Sequence, residues 1–174
     1  IARLTGMAAD YYVITEIIAP DGYILNDTPQ TVEFVAGKVT TVTIPNGKKP
    51  TLALEKIDAI TKQPLASAVF EIRYKNGESI GRFTTDETGR IELPHIAPGL
   101  VVVTEISAPA GYITHSTPQE VQLSAGETKT LTLENTPKSP VILKKVDAST
   151  GKPLSGAVFR LSKMNGELVG EYET

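Results

Sequence analysis

The chain repeats itself at an offset of 89 positions, the separation of Glu16 from Glu105, and that register limits every fold it can adopt. Gly22 and Tyr23 recur as Gly111 and Tyr112, Pro29 and Gln30 as Pro118 and Gln119, Asn46 as Asn135, and Lys56 as Lys145, with no insertion anywhere. The register divides the chain into half, whole and half. Residues 1–48 form the C-terminal half of one repeat, 51–137 a complete repeat, and 140–174 the N-terminal half of the next. Both ends of the chain fall at the position of the Asp86-Glu87-Thr88-Gly89 loop. Two readings follow: a window on a continuous array, or halves that complete each other head to tail, 140–174 of one chain with 1–48 of another. Loop tips are where nicking concentrates, which favours the window.

Within the complete repeat, short apolar-polar alternations are separated by turn signals. Residues 51–58 give a first strand and 68–74 a second, and Asn76-Gly77 marks a hairpin turn. Two short strands flank the Asp86–Gly89 loop, residues 100–107 form a long strand stopped by Ala108-Pro109, and residues 120–124 and 128–135 complete the unit. About seven strands with turns at this spacing predict an all-β fold of tandem immunoglobulin-like antiparallel β-sandwich domains. The joints at Pro45–Pro50 and Pro137–Pro140 are short and flanked by proline, which predicts a semi-rigid string of domains.

Alternation also places three polar residues on core-facing rows. Val101 and Val103 share a face with Glu105, Leu52 and Leu54 with Lys56, and Leu131 and Leu133 with Asn135. The upstream copy puts Tyr12 and Ile14 beside Glu16, and Val42 and Ile44 beside Asn46; the downstream copy puts Val141 and Leu143 beside Lys145. Burying such groups is costly unless they find partners. Singly each has a plainer reading: an edge lysine whose stem snorkels, a salt-bridge carboxylate, a turn asparagine ahead of Thr136-Pro137. Matching parity in both copies points instead to one shared cluster.

These motifs resemble a known family. The Leu54-x-Lys56-x-Asp58 strand, the segments Pro64-Leu65-Ala66-Ser67-Ala68 and Pro153-Leu154-Ser155-Gly156-Ala157, the Thr104-Glu105 strand with Ala108-Pro109 and Gly111-Tyr112, and a last strand ending in Asn135 are similar to the Cna protein B-type repeat. The resemblance covers essentially the whole chain. It implies a prealbumin-like domain of surface adhesins and pilins of Gram-positive bacteria, extracellular and anchored to the cell wall. It also implies a spontaneous isopeptide bond between a first-strand lysine and a last-strand asparagine, assisted by an acidic residue. Carried over, the complete set is Lys56, Asn135 and catalytic Glu105, and the split set is Lys145, Asn46 and catalytic Glu16. Ser67 stands where the family's segment carries glycine, a departure that bears on the local turn and not on the triad.

The chemistry follows from the residue types. Lysine and glutamate, with pKa values of about 10.4 and 4.3 in water, are both charged at neutral pH, and burial drives each toward its neutral form. A neutral Lys56 amine is a nucleophile; a protonated Glu105 is expected to hydrogen-bond the Asn135 amide oxygen and to pass a proton to the departing ammonia. That is one autocatalytic turnover within the protein and not enzymology.

The remaining composition excludes more than it offers. With no cysteine there are no disulfides and no thiolate sites, so another source of robustness is required. A net charge of −3 supplies no basic stripe for nucleic acid or membrane surfaces, and no apolar run is long enough to insert in a bilayer. The chain opens without a signal peptide or initiator methionine and reads as an internal piece of a longer protein. No metal-ligand or cofactor-binding spacing appears; His95 and His115 align with Gly6 and Asn26 and read as loop residues. Asp58 reads as a turn-capping carboxylate. The expected role is a stalk or shaft module whose partners are neighbouring repeats, with head-to-tail complementation between chains as the sharper variant. The alternative is a ligand-binding adhesin domain recognising a host extracellular matrix protein.

Overall fold

The computed structural model describes residues 2–174, and in it the predicted alternation becomes strands. In chain order these are β1 Asp10–Ile14, β2 Gln30–Phe34, β3 Thr51–Asp58, β4 Val69–Tyr74, β5 Ser79–Thr84, β6 Arg90–Leu93, β7 Gly99–Ser107, β8 Gln119–Leu123, β9 Thr128–Asn135, β10 Val158–Ser162 and β11 Leu168–Glu173. The described residues form an all-β chain, and none of its elements is a helix long and apolar enough to cross a membrane. One unit ends at Lys138 and a second comprises Ser139–Thr174.

In the first unit, β3 to β9 build two sheets, one ordered β6-β3-β9 and the other β5-β4-β7-β8. Leu52, Leu54, Ile91 and Leu93 from the first sheet meet Phe70, Ile72, Val101, Val103, Val121 and Leu123 from the second in one buried core. Each of these residues has the parity its strand's alternation requires. One pairing departs from the expected antiparallel pattern: β3 and β9 run parallel, with Lys56 opposite Leu133 and Asp58 opposite Asn135. First and last strands entering from the same end can only pair in this way, so the chain enters at Thr51 at one end of the ladder and leaves past Asn135 at the other.

The half repeats keep part of this architecture. β1 pairs with β2 at the positions equivalent to β7 and β8, and β10 with β11 at those of β4 and β5. Among the described residues, two expected strands are absent and a third is shortened. The run Val42, Ile44, Asn46 and the run Val141, Leu143, Lys145 carry no ladder, and β1 stops at Ile14, short of Glu16. The reason is topological: in the complete repeat β3 pairs only with β6 and β9, and those lie in the other half of the repeat. A hairpin is satisfied within its own half, whereas the first and last strands are not. The packing follows: Leu143 is 45% exposed where its equivalent Leu54 is fully buried, and Leu161 is 41% exposed where Ile72 is fully buried. Lys145 is exposed as well, contrary to its expected core-facing position.

Two tight backbone positions serve the site. The Lys56 N–H donates to the Gly89 carbonyl at 2.8 Å and the Lys56 carbonyl accepts from Leu65 N–H at 2.8 Å. A Cβ on Gly89, whose φ is +74°, would lie 2.6 Å from the Lys56 carbonyl oxygen, so only glycine closes this loop. Ser67 keeps the turn that its glycine equivalent makes: its φ is 67° and that of Gly156 is 80°. A serine held in the left-handed region costs about 1 kcal/mol or more. Ser67→Gly is therefore expected to raise unfolding stability by about 1 kcal/mol, read as a higher urea midpoint with an unchanged denaturant slope.

Candidate functional site

Lys56, Glu105 and Asn135 meet at one end of the core. β3 carries Lys56, β7 carries Glu105 opposite Phe70 on β4, and β9 ends on Asn135. All three are buried, at 2%, 3% and 0% exposure. Lys56 Nζ stands 3.4 Å from Glu105 Oε1 and 5.9 Å from the Phe70 ring centroid. The second carboxylate oxygen, Oε2, accepts from Asn135 Nδ2 at 2.8 Å and from the His115 main-chain N–H at 2.6 Å. Asn135 Nδ2 also donates to the Ile113 carbonyl at 2.8 Å. One carboxylate thus holds an amine at one oxygen and an amide at the other.

The amide is oriented differently from the sequence-based expectation. Glu105 contacts its nitrogen, not its oxygen, because the two nearby acceptors, the carboxylate and the Ile113 carbonyl, both draw the NH₂ end. Among the described residues, Asn135 Oδ1 and Glu105 Oε1 are the buried side-chain oxygens without a hydrogen-bond partner. Loss of water holds the Lys56 amine below the ordinary lysine range, an effect larger than the opposing pull of the Glu105 charge. Such a set can move a proton from the amine through Oε1 to the carboxylate, and from Oε2 to the amide nitrogen as it departs. An open cleft of about 720 Å³, lined in part by Lys56, Glu105, His115 and Thr132, adjoins the cluster.

The split set is assembled in part. Glu16 Oε2 accepts from Asn46 Nδ2 at 2.5 Å and from the Asn26 N–H at 2.9 Å, and Asn46 Nδ2 donates to the Ile24 carbonyl at 2.9 Å. Bond for bond this is the Glu105–Asn135 arrangement displaced by one repeat. Glu16 and Asn46 are half-buried, while Lys145 is exposed and belongs to the other unit.

Sequence reasoning missed the main-chain members, Ile113 C=O and His115 N–H, since a backbone group leaves no mark on residue type. His115 is an exposed loop residue, as expected, yet its amide holds the carboxylate. The sequence reading of Asp58 as a turn cap covers one oxygen: Oδ1 accepts from the Ile60 and Thr61 N–H groups at 2.7 and 2.8 Å. The other accepts from the Tyr112 hydroxyl at 2.7 Å. That pair carried a signal, because Tyr112 and Asp58 recur as Tyr23 and Asp147.

The depressed Lys56 value has a consequence for stability. In Asn135→Ala, where the amide is gone, the unfolded chain still binds a proton on Lys56 in the range where the folded chain has released it. Stability of that variant is expected to rise with pH up to the ordinary lysine value and to be lost as pH falls through the folded one. Urea midpoints across the alkaline range measure this, and the slope should disappear when Lys56→Met is added.

Comparison with known proteins agrees with the fold. The SpaA prealbumin-like fold domain family matches residues 1–48, 50–137 and 139–174. Among solved structures, the Bacillus anthracis TIE protein is 24% identical with a TM-score of 0.52, over 95% of this chain and 33% of its own. The Bacillus cereus major pilin subunit BcpA is 23% identical with a TM-score of 0.52, over 65% of this chain and 35% of its own. A variant of that subunit aligns at 25% identity and a TM-score of 0.51, over 69% and 40%. The chain therefore spans about a third to two-fifths of these relatives. No curated protein matches it significantly. With its sandwich and its family match extending over nearly every residue, the chain belongs to the SpaA prealbumin-like fold domain family.

Proposed function

We propose that the chain is a shaft segment of a Gram-positive cell-surface protein, built from tandem domains that each lock themselves with a Lys–Asn isopeptide bond. The observation that carries this reading is the single buried carboxylate with Lys56 Nζ at one oxygen and Asn135 Nδ2 at the other. The steps balance. The Lys56 ammonium gives a proton to Glu105, and the neutral amine attacks Asn135 Cγ. The Cγ–Nδ2 bond then breaks, and the amide nitrogen leaves as ammonium, taking one proton from the former amine and one from the carboxyl group. The net change is one ammonium ion released, one amide formed, and Glu105 returned unchanged. Folding supplies the orientation that makes an ordinary amide reactive.

The bond suits a load-bearing module. Tension applied at Thr51 and past Asn135 pulls the parallel β3–β9 pair in shear, and a link from Lys56 to Asn135 carries the force directly between them. The 78 residues between Lys56 and Asn135 are then shielded. By the loop-closure estimate used for disulfides, a covalent closure of this size adds about 4–5 kcal/mol. It supplies the robustness that a chain without cysteine lacks. The pilin identity of solved relatives supports a surface shaft, with neighbouring repeats as the principal partners. Domain boundaries at 1–48, 51–137 and 140–174 follow the repeat register. In an array, or between chains head to tail, the 141–145 strand lies beside a 42–46 strand and brings Lys145 to a Glu16–Asn46 pair.

Intact mass of the denatured chain tests the bond. The wild-type chain is expected to be lighter than its sequence by one ammonia, and Glu105→Ala to have the full mass. An unmodified wild-type mass reduces the triad to a buried polar cluster and favours the adhesin alternative, which immobilised matrix proteins then probe. Concentrated wild-type chain is further expected to yield covalent multimers that Lys145→Arg abolishes; a strictly monomeric product restricts the split set to neighbours within one array.

A further inference from the structure

Asp58 and Tyr112 recur with the triad, as Asp147 and Tyr23, yet the proposed reaction uses neither. Their placement relates them to every reacting group. Asp58 follows Lys56 by two residues on β3, so it shares the buried face and stands opposite Asn135 in the β3–β9 register. Tyr112 immediately precedes Ile113, whose carbonyl takes the Asn135 amide, and lies three residues before His115, whose N–H holds the Glu105 carboxylate. The Tyr112 hydroxyl donates to Asp58 Oδ2 at 2.7 Å, which ties the lysine strand to the loop that orients both the amide and the carboxylate. The same loop is anchored to the end of β9 by Ile113 N–H on the Thr136 carbonyl at 3.0 Å. A turn cap alone requires only Oδ1. In the second unit, Asp147 accepts from Ser149 and Thr150 N–H through Oδ1, at 2.9 and 2.7 Å, in the manner of Asp58.

Resting on the isopeptide reading above, we propose that the Asp58–Tyr112 hydrogen bond is a positioning latch for bond formation: it sets the approach of the Lys56 amine to the Asn135 amide. Neither side chain hydrogen-bonds to the Lys56 amine, the Glu105 carboxylate or the Asn135 amide. Asp58 is 5% exposed, so removing the hydroxyl leaves a buried oxygen without its donor and frees the loop to drift from β3. A displacement of the reacting pair by a fraction of an ångström is enough to be felt as rate.

The test follows ammonia loss by intact mass during a time course after cell-free synthesis of the full chain, quenched in acid. Tyr112→Phe removes one oxygen and is expected to slow the loss roughly 10- to 100-fold. Asp58→Asn keeps Oδ1 for the turn and offers an N–H to the tyrosine oxygen, so it is expected to retain the rate within about threefold. Asp58→Ser keeps a capping oxygen without the second one and must be slow; it serves in place of the phenylalanine variant should that chain not fold. Thermal midpoints of Tyr112→Phe in a Glu105→Ala background, where no bond forms, show whether the fold itself is intact. Wild-type rates in both Tyr112→Phe and Asp58→Ser overturn the latch and leave the bond standing. Equal slowing in Asp58→Asn and Asp58→Ser overturns it too, since the conservative change should rescue. A wild-type chain that loses no ammonia removes the bond reading and the latch with it.

Discussion

The parallel pairing of β3 with β9 is the interaction on which the rest depends. β3 is the central strand of its sheet, and both of its neighbours come from the other half of the repeat. Without β3 neither β6 nor β9 has a ladder, and the β5-β4-β7-β8 sheet has nothing to cover its apolar face. The half repeats agree: their hairpins stand, while their equivalents of the first and last strands carry no ladder, and Val141 and Leu143 of the first-strand equivalent are exposed. Closing a pairing between residues so distant in sequence is entropically expensive, and it is repaid only when the whole core forms around it.

The same pairing brings a charge problem into the core. A lysine and a glutamate buried together gain from each other but lose their water, and a buried ion pair is poor evidence of stability. Here the carboxylate is well satisfied at Oε2, by two N–H donors, and poorly at Oε1, where the ammonium stands at 3.4 Å. The amide is likewise bonded only through its nitrogen. An arrangement optimised for stability would satisfy every buried polar atom. In the proposed reaction, joining amine and amide into one neutral link removes the buried ammonium, so the burial that disfavours the separate groups favours that product.

Much of this was legible in the residues. Period-two alternation placed Lys56, Glu105 and Asn135 on core-facing rows, and the 89-residue register separated them from incidental polar residues such as His95. Alternation does not carry strand direction, so the parallel β3–β9 ladder required the topology. Nor does it carry the presence of a partner: Val141, Leu143 and Lys145 have the pattern of β3 and none of its ladder, because a strand exists only beside another strand. The orientation of the Asn135 amide was decided by a backbone carbonyl and a backbone amide, whose positions no residue name reveals. Ser67 is the converse case: a serine in the place of a glycine suggested a changed turn, and the left-handed geometry held regardless.

The two copies of the site are divided in the same way between the halves of a repeat. Glu16 and Asn46 are 30 positions apart, both within one half, and they adopt the full carboxylate–amide geometry with Ile24 and Asn26 in support. Glu105 and Asn135 have the same separation, whereas Lys56 lies in the other half of its repeat. The acceptor side therefore lies wholly within one half of a repeat, and the amine comes from a strand of the other half. Burial of the Lys56 amine, its lowered pKa and its contact with the Glu105 carboxylate all require β3 in its ladder, so the proposed reaction is one that only the folded repeat can perform.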